Sequence, residues 1–327
     1  MLLEGPEPAT RVAWCSVRLL GFIHGFASRL SLPMITVPAT FRAMPRWWHD
    51  QRGREWLDAL PVLVASQCRQ WDVRVDGDPL HGSNALVVPV RRRDTALALR
   101  LAPPGDDVTR EAAALRLWAG RGTVRLFKVD AGSGALLLER LSSSHSLQSE
   151  PLAVAIPVIA GLVRVLAVPT PIDVLSTDTI AADHVESFER DWRALDGPTP
   201  RAQLDLAVGL ADELAGVVPS DLAVDGDLHC KQVLAAERAP WLVVDPVLLR
   251  GDPEYDFARV LWERLDELPK ESDIMDAFEV FVRVAHVPPD RARRWIVVRS
   301  MSYLLWGIPR GLTWDPPKCR RLLDLFS

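Results

Sequence analysis

The first half of the chain contains apolar runs short enough for β-strands, with turn-forming residues between them. Leu86 to Val90 and Ala96 to Leu101 flank the basic stretch Arg91 to Asp94, which predicts two paired strands joined by a hairpin. Ala135 to Leu141 is a third apolar run that ends in charged residues, and it predicts another buried strand. These runs together predict an antiparallel sheet early in the chain.

Longer segments with apolar residues three to four positions apart predict helices. The first, Leu60 to Trp71, precedes the sheet, and its Pro61 is expected in the first turn because a proline further inside removes a backbone hydrogen bond. The others follow the sheet, and prolines separate several of them. They are Pro157 to Val168, Val185 to Leu195, Leu204 to Val217, Ile274 to Val284 and Arg291 to Trp306.

A small β element interrupts the helical half. Gln232 to Ala235 and Trp241 to Val244 are typical of two short strands, with a turn at Glu237 to Pro240 between them. Ser142 to Ser149 is polar and predicts a loop that acts as a hinge. We therefore expect an α+β fold, with a small β-rich lobe at residues 34–141 and a larger helical lobe at residues 142–327.

Composition supports this division. A chain of 327 residues suits two lobes of ordinary domain size, and 48% hydrophobic with 25% charged residues is typical of globular proteins. The formal charge of −5 gives no reason to expect a nucleic-acid partner. No apolar run reaches the roughly eighteen residues that a membrane span requires. The four cysteines have no metal-binding spacing, so a reducing, cytoplasmic setting is expected.

Two carboxylates flank the small hairpin of the helical half. Asp227 lies in the polar loop Val224 to His229, and Asp245 follows the second strand, 18 residues later. Phosphoryl transfer uses such a pair: a loop aspartate receives the proton of the acceptor hydroxyl, and a strand-end aspartate holds magnesium on the nucleotide phosphates. The spacing therefore predicts a kinase-like catalytic hairpin, with Asp227 as base and Asp245 as metal ligand.

The same segments resemble a known family. The loop around Asp227, the stretch Trp241 to Pro246 and the motif Gly251 to Asp256 are similar to those of the aminoglycoside phosphotransferases, within them the streptomycin 6-kinase and hydroxyurea phosphotransferase group. The resemblance extends from about Val37 to Leu268. It implies a bilobal protein-kinase-like fold, ATP and Mg²⁺ as cofactors, and an acceptor hydroxyl on a small polar molecule such as streptomycin.

The resemblance also implies where the β-rich lobe holds a nucleotide. Arg100 and Glu111 occupy the places of the strand cation and helix glutamate that hold the α- and β-phosphates in kinases. Gly82 and Ser83 form a small-residue turn that could lie over phosphates. Adenine is expected to pack against the run that contains Glu139, which corresponds to the family's linker between lobes.

Three positions depart from the family pattern. Arg100 replaces a lysine, Asp225 replaces the loop histidine, and Gln232 replaces the asparagine that binds magnesium. Gln232 keeps a carbonyl ligand, so we retain it with Asp245 as a candidate metal ligand. The extra acid Asp225 either raises the pKa of a neighbour or recruits metal. Lys231 is expected to pair with Asp225, contact a phosphate or remain solvated.

Two further residues of these motifs have expected roles. His229 has no second histidine at metal-binding spacing, so we assign it to support of the loop. Asp256 has two readings: a buried acid that holds the catalytic loop by its backbone, as in the family, or an ordinary charge at a helix start.

We therefore expect an ATP-dependent phosphotransferase that acts on an alcohol group. The three departures motivate an alternative, a catalytically weakened protein of the same fold that binds nucleotide or ligand without efficient transfer. Hydrolysis by the paired carboxylates, as in a glycosidase, leaves the features of the β-rich lobe unexplained.

Residues 1–33 precede the region of resemblance. Arg11 to Leu32 contains three arginines and no acid, but Arg18 and His24 interrupt the apolar core of a signal peptide. Two readings stay open: Met34 is the natural start and the extension is not native, or the extension is a peripheral helix.

Overall fold

The computed structural model describes residues 34–170, 173–216 and 220–327 of the 327-residue chain. The expectation for residues 1–33 lies outside the described residues. Within them, a sheet forms early in the chain and helices dominate afterwards, so the predicted α+β class is confirmed. We call residues 34–141 the sheet lobe and residues 142–327 the helical lobe; this boundary remains a prediction.

An antiparallel sheet forms most of the sheet lobe. Its central path runs β1, β3, β4, β6, β5, and β2 pairs with β3. The predicted hairpin is confirmed: Arg92 pairs with Thr95, and Arg93 in the two-residue turn has a φ of 50°. The elements are α1 (Ala39–Arg42), α2 (Gln51–Trp71), β1 (Arg74–Val75), β2 (Leu80–His81), β3 (Leu86–Arg92), β4 (Thr95–Leu101), α3 (Val108–Trp118), β5 (Leu126–Asp130) and β6 (Ala135–Glu139).

The helix before the sheet is longer than predicted. It begins at Gln51, and Asp50 caps it by accepting a hydrogen bond from Gly53 N. Pro61 therefore lies inside the helix, and its expected place in the first turn is wrong. The carbonyl of Leu57, four residues earlier, loses its helical partner but accepts from Arg42 Nη2 at 3.2 Å. An arginine from α1 thus replaces the missing backbone donor.

In the described residues, seven α-helices and five short β-strands form the helical lobe. The five predicted helices are confirmed, although Pro157 lies inside its helix rather than at the start. Their apolar faces form one large core, with Phe257, Phe281 and Trp295 among its buried members. The helices are α4 (Leu152–Leu166), α5 (Thr177–Ala194), α6 (Arg201–Ala215), α7 (Phe257–Glu263), α8 (Glu271–Ala285), α9 (Pro289–Gly307) and α10 (Asp315–Phe326).

Five short strands of the described residues lie before and between these helices. The strands are β7 (Ser142–Ser146), β8 (Ala223–Asp225), β9 (Val233–Ala235), β10 (Trp241–Val243) and β11 (Leu248–Arg250). The hairpin β9–β10 is confirmed, and β8 pairs with β11. The loop expected at Ser142 to Ser149 is wrong, because β7 pairs with β9 and satisfies backbone groups of this polar stretch.

The two lobes are joined through α3 as well as through the chain. Trp118, at the end of α3, is buried in the core of the helical lobe, and its Nε1 donates to Leu166 O at 2.8 Å. The loop that follows α3 also bonds with β10, since Val124 N donates to Val243 O at 2.8 Å. The sheet-lobe helix is therefore anchored at its C-terminal end.

None of the helices in the described part of the chain combines the length and apolar content that crossing a membrane requires.

We predict that Trp118→Phe lowers the free energy of unfolding by about 1–2 kcal/mol, because the buried carbonyl of Leu166 loses its donor while most of the packing remains. Urea unfolding followed by circular dichroism measures the change. Trp306→Phe, at a half-exposed tryptophan of α9, is the matched control and should change stability by less than about 0.5 kcal/mol. Equal changes in the two variants would contradict the anchoring role of Trp118.

Candidate active site

A cleft of about 610 Å³ is lined by residues of both lobes. All but one of the predicted site residues line it, and Glu111 lies directly behind the wall, against Arg100. The lining residues from the predicted set are Gly82, Ser83, Arg100, Glu139, Asp227, Gln232 and Asp245.

The loop after β8 brings Asp227 to the cleft. Gly226 makes the approach of β8 to β11 feasible, because a Cβ there would lie 2.4 Å from Leu249 Cδ1. The buried carboxyl of Asp225 then fixes the loop, with its Oδ1 accepting from Asp227 N at 3.2 Å and from Val247 N at 3.0 Å. One oxygen thus ties the Asp227 loop to the segment just after Asp245.

Asp225 is almost fully buried, with 4% of its surface exposed. Burial raises its pKa well above the ordinary value, and the charges of Asp256 and Asp245 raise it further, while the bond from Val247 N lowers it. Burial thus favours the protonated, neutral form of the Asp225 carboxyl. The expectation that Lys231 pairs with Asp225 is wrong, because Lys231 Nζ lies 2.7 Å from Glu263 Oε1.

Both oxygens of Asp227 have partners. Gln232 Nε2 donates to Oδ2 at 3.1 Å, and Arg259 Nη1 donates to Oδ1. The Asp227 side chain remains one-third exposed, so it is still open to the cleft. A carboxylate held in this way has lone pairs left to accept a hydroxyl proton from a bound molecule.

Gln232 also connects Asp227 to Asp245. Its Nε2 donates a second bond to Asp245 O at 3.2 Å, whereas its Oε1 is buried and has no hydrogen-bond partner. Asp245 has a φ of 54°, so the chain turns directly after β10 and its half-exposed side chain lines the same cleft. An amide oxygen without a partner and a nearby carboxylate are ligands that magnesium accepts.

Gln232 and Asp245 offer two oxygen donors, the number that magnesium bound together with a nucleotide commonly takes from a protein. Within the described residues, no three His, Cys, Asp or Glu side chains could hold a metal by themselves. Magnesium commonly takes one or two protein oxygens and completes its octahedron with phosphates and water. The donor set therefore fits Mg²⁺ held on phosphates and does not fit a cage made of protein alone.

Arg100 joins the two lobes at the back of the cleft. Its Nη1 lies 2.8 Å from Glu111 Oε2, and its Nη2 donates to Asp245 Oδ1 at 2.7 Å. Burial raises the pKa of Glu111 to about 7; Arg100 opposes that rise and Asp245 adds to it. The guanidinium reaches two carboxylates at once, which the single ammonium of a lysine does less readily.

The rest of the cleft combines an apolar slot with a polar turn. Its apolar walls come from both lobes and suit a flat aromatic ring. Glu139 lies beside this slot, but its side chain is ion-paired with Arg238, with Arg238 Nε 2.9 Å from Oε1. The turn at Gly82 is closed by a bond from Gly82 N to Ala85 O at 3.2 Å. The apolar residues are Val87, Ala98, Val124, Leu138, Leu141, Leu234 and Val244.

Asp256 holds the catalytic loop from below. Its Oδ2 accepts from Leu228 N at 3.0 Å, and its Oδ1 accepts from Arg299 Nη2 at 2.7 Å. Burial raises its pKa, and the Arg299 charge opposes this. Of the two readings of Asp256, the buried acid that holds the loop by its backbone is confirmed.

His229 lies at the edge of the loop, with Nδ1 3.5 Å from Glu263 Oε2. Burial alone would raise the pKa of Glu263, but His229 and Lys231 lower it to about 2. Glu263 therefore carries its charge at neutral pH, and it contacts the side chains of Lys231 and His229 on one side of the cleft.

Sequence reasoning missed Arg259 and Glu263, which both line the cleft. They are three and seven residues after Asp256, so they lie on the same face of α7 as the acid that begins it. A search for charged residues at helical spacing after the Gly251 to Asp256 motif would have found them.

The chain is similar to known proteins over most of its length. A profile of the aminoglycoside/hydroxyurea antibiotic resistance kinase family matches residues 70–307. The chain is 37% identical to a streptomycin 6-kinase of Streptomyces griseus, over 80% of this chain and 88% of that protein. It is 34% identical to a hydroxyurea phosphotransferase of Kitasatospora aureofaciens, over 85% of this chain and 82% of that one.

Solved structures support the fold. A thermostable mutant of the aminoglycoside phosphotransferase APH(4)-Ia, in a ternary complex with ADP and hygromycin B, superposes with a TM-score of 0.59. The superposition covers 80% of this chain and 97% of the phosphotransferase chain, with 14% sequence identity. The predicted bilobal protein-kinase-like fold is confirmed.

We predict that Asp256→Asn lowers kcat by about 10²-fold. The asparagine NH₂ group would face one of the two present donors, Leu228 N or Arg299 Nη2, so that hydrogen bond is lost and the Asp227 loop shifts. Nucleotide affinity should stay within about twofold, since Asp256 does not line the cleft. Steady-state turnover and calorimetric nucleotide titration measure the two quantities. Asp276→Asn, at an exposed acid of α8, is the control; an equal loss in both variants would refute the role of Asp256.

We predict that Asp225→Asn keeps the loop geometry, because an amide oxygen can accept the same two backbone bonds. A buried acid with a raised pKa binds more protons folded than unfolded, so the wild-type protein loses stability as the pH rises above the ordinary carboxyl pKa of about 4. The variant lacks this loss.

The stability of Asp225→Asn relative to wild type should therefore increase from pH 5 to pH 8, which urea unfolding at several pH values measures. A difference that stays constant over this range would show that the Asp225 carboxyl is not kept neutral by the fold.

Proposed function

This chain belongs to the aminoglycoside/hydroxyurea antibiotic resistance kinase family, and we propose that it is an ATP-dependent kinase that transfers a phosphoryl group to a hydroxyl of an aminoglycoside such as streptomycin. The observation that carries the proposal is the joint placement of Asp227 and Asp245 on one cleft, linked by the Gln232 side chain. The comparisons do not favour the weakened binding protein as an alternative.

Asp227 acts as the base in this proposal. In the transfer, a bond forms between the acceptor oxygen and the γ-phosphorus while the bond to the β,γ-bridging oxygen breaks, and ADP keeps that electron pair. The hydroxyl proton passes to Asp227 late in the reaction. Gln232 and Arg259 orient the carboxylate, so its free lone pairs are fixed toward the cleft.

Asp245 and Gln232 would hold Mg²⁺, which supplies positive charge to the phosphate oxygens when it is bound. Arg100 would hold the α- and β-phosphates, and Glu111 orients the guanidinium from behind. The apolar slot beside Glu139 would receive adenine. The turn at Gly82 and Ser83 would bring the Ser83 backbone N–H over the phosphates, since the Gly82 N–H is bonded to Ala85 O.

The acidic residue Glu263 on the cleft wall gives only limited support for a positively charged substrate. Glu263 is ionised, but Lys231 and His229 already accompany it. The choice of streptomycin as the acceptor therefore rests on the named relatives, and the proposal is tested with that acceptor first.

We predict that wild-type protein converts ATP to ADP in a streptomycin-dependent and magnesium-dependent way in a coupled ADP-release assay, because the γ-phosphoryl group passes to the acceptor. Asp227→Asn should lower kcat by about 10²–10⁴-fold, because the asparagine cannot accept the hydroxyl proton. Its nucleotide affinity should remain close to that of wild type.

Asp276→Asn serves as the matched control and should retain wild-type turnover. Full activity in Asp227→Asn would refute Asp227 as the base. Turnover with hydroxyurea but not with streptomycin would refute the aminoglycoside acceptor while preserving the kinase.

A further inference from the structure

Arg259 makes an ion pair with the proposed base that sequence motifs do not indicate. It lies in the first turn of α7, three residues after Asp256, and its Nη1 donates to Asp227 Oδ1. Its side chain is 27% exposed and lines the cleft. Among the described residues, the only hydrogen-bond partner of its side chain is Asp227, so the other donors of its five-donor guanidinium have no protein acceptor.

The other basic side chains on the cleft wall have different acid partners. Arg100 contacts Glu111 and Asp245, which places it at the back of the cleft. Lys231 contacts Glu263, and the remaining arginine of the wall, Arg140, contacts Asp76. In the described part of the chain, Arg259 is therefore the basic residue of the wall whose acid partner is the base itself.

The position and the charge of Arg259 together indicate a second role, besides its ion pair with Asp227. An acceptor oxygen that gives its proton to Asp227 lies within hydrogen-bond reach of it, and the γ-phosphoryl group must approach that oxygen. Negative charge therefore gathers beside Asp227, where the guanidinium already lies. A fixed cation at this place lowers the energy of a transition state with charge spread over phosphoryl oxygens.

We propose that Arg259 is a catalytic residue that contacts both Asp227 and the transferred γ-phosphoryl group. One of its donors fixes the base, and the free donors bind γ-phosphate oxygens. The proposal rests on the kinase function proposed above. It involves the same bond changes: the acceptor oxygen binds phosphorus, ADP leaves with the bridging electron pair, and the proton goes to Asp227.

The first test needs no turnover and no acceptor. Arg259→Ala should bind AMP-PNP with magnesium about tenfold more weakly than wild type, because charge-assisted bonds to the γ-phosphate are lost. Binding of ADP with magnesium should stay within about twofold, since ADP has no γ-phosphate. Isothermal titration of both nucleotides gives the ratio, and circular dichroism verifies that the variant is folded.

Arg259→Lys and Arg283→Ala complete the binding test. The lysine keeps the charge but loses the fork, so its AMP-PNP affinity should lie between those of wild type and Arg259→Ala. Arg283 is an exposed arginine of α8 outside the cleft, and Arg283→Ala should bind both nucleotides as wild type does.

The second test measures catalysis. With streptomycin as acceptor, Arg259→Ala should lose about 10²–10³-fold in kcat, with a smaller change in the KM for ATP. Millimolar guanidinium should restore part of this kcat in a saturable manner, because the small cation can occupy the emptied place. It should leave wild type and Arg283→Ala without gain.

Equal weakening of AMP-PNP and ADP binding in Arg259→Ala, or no weakening of either, would overturn the contact with the γ-phosphoryl group. A loss of kcat that guanidinium does not restore would reduce Arg259 to a structural partner of Asp227. If wild type turns over no acceptor, the proposed function fails, but the nucleotide ratio still decides the proposal for Arg259.

Discussion

The arrangement of the site depends on two carboxyl groups that folding removes from water, Asp225 and Asp256. Removing such groups from water costs several kcal/mol unless hydrogen bonds or opposite charges compensate. Asp256 is compensated by Arg299 and by a backbone N–H of the catalytic loop. Asp225 is compensated by two backbone N–H groups, one from each of the segments that carry Asp227 and Asp245. The backbone N–H groups that offset the cost of burying these acids therefore belong to the segments that carry Asp227 and Asp245.

The two lobes are held in a related way. The end of α3 is buried in the helical core through Trp118, while the start of α3 presents Glu111 to Arg100. Arg100 in turn reaches Asp245 on the helical side. The helix is anchored at one end and makes a polar contact at the other, so any shift of its first turn changes the contact between the arginine proposed to bind phosphate and the carboxylate proposed to bind metal.

Local patterns were enough to predict much of this molecule, and long-range pairing was not. Alternation and helical spacing located the β3–β4 hairpin, the β9–β10 hairpin and the five long helices, because each is set by neighbours in the sequence. Pro61 lies inside a helix because Arg42, nineteen residues earlier, satisfies the free carbonyl. Ser142 to Ser146 is a strand because β9 pairs with it from far along the chain. No periodicity reports such partners.

The candidate site divides along the same line. The order and spacing of Asp227 and Asp245 predict that the two acids flank one hairpin, and both line the same cleft because that hairpin is local. The partner of Lys231 and the pairing of Arg259 with Asp227 depend on where α7 packs, which the motif does not specify. The sequence presents Asp225 as an extra acid in the loop, whereas its burial in the fold raises its pKa and so favours the uncharged form.

The contact of Arg100 with Asp245 has a consequence for how an ion reaches the cleft. Asp245 already shares its carboxylate with a guanidinium, so a bare divalent ion meets less than a full negative charge there. An ion that arrives on nucleotide phosphates brings its own anions, which can draw Arg100 away from Asp245 and free the carboxylate. Under the proposed function, the cleft would therefore favour the metal–nucleotide complex over free metal, because Arg100 would exchange Asp245 for phosphate oxygens as the complex binds.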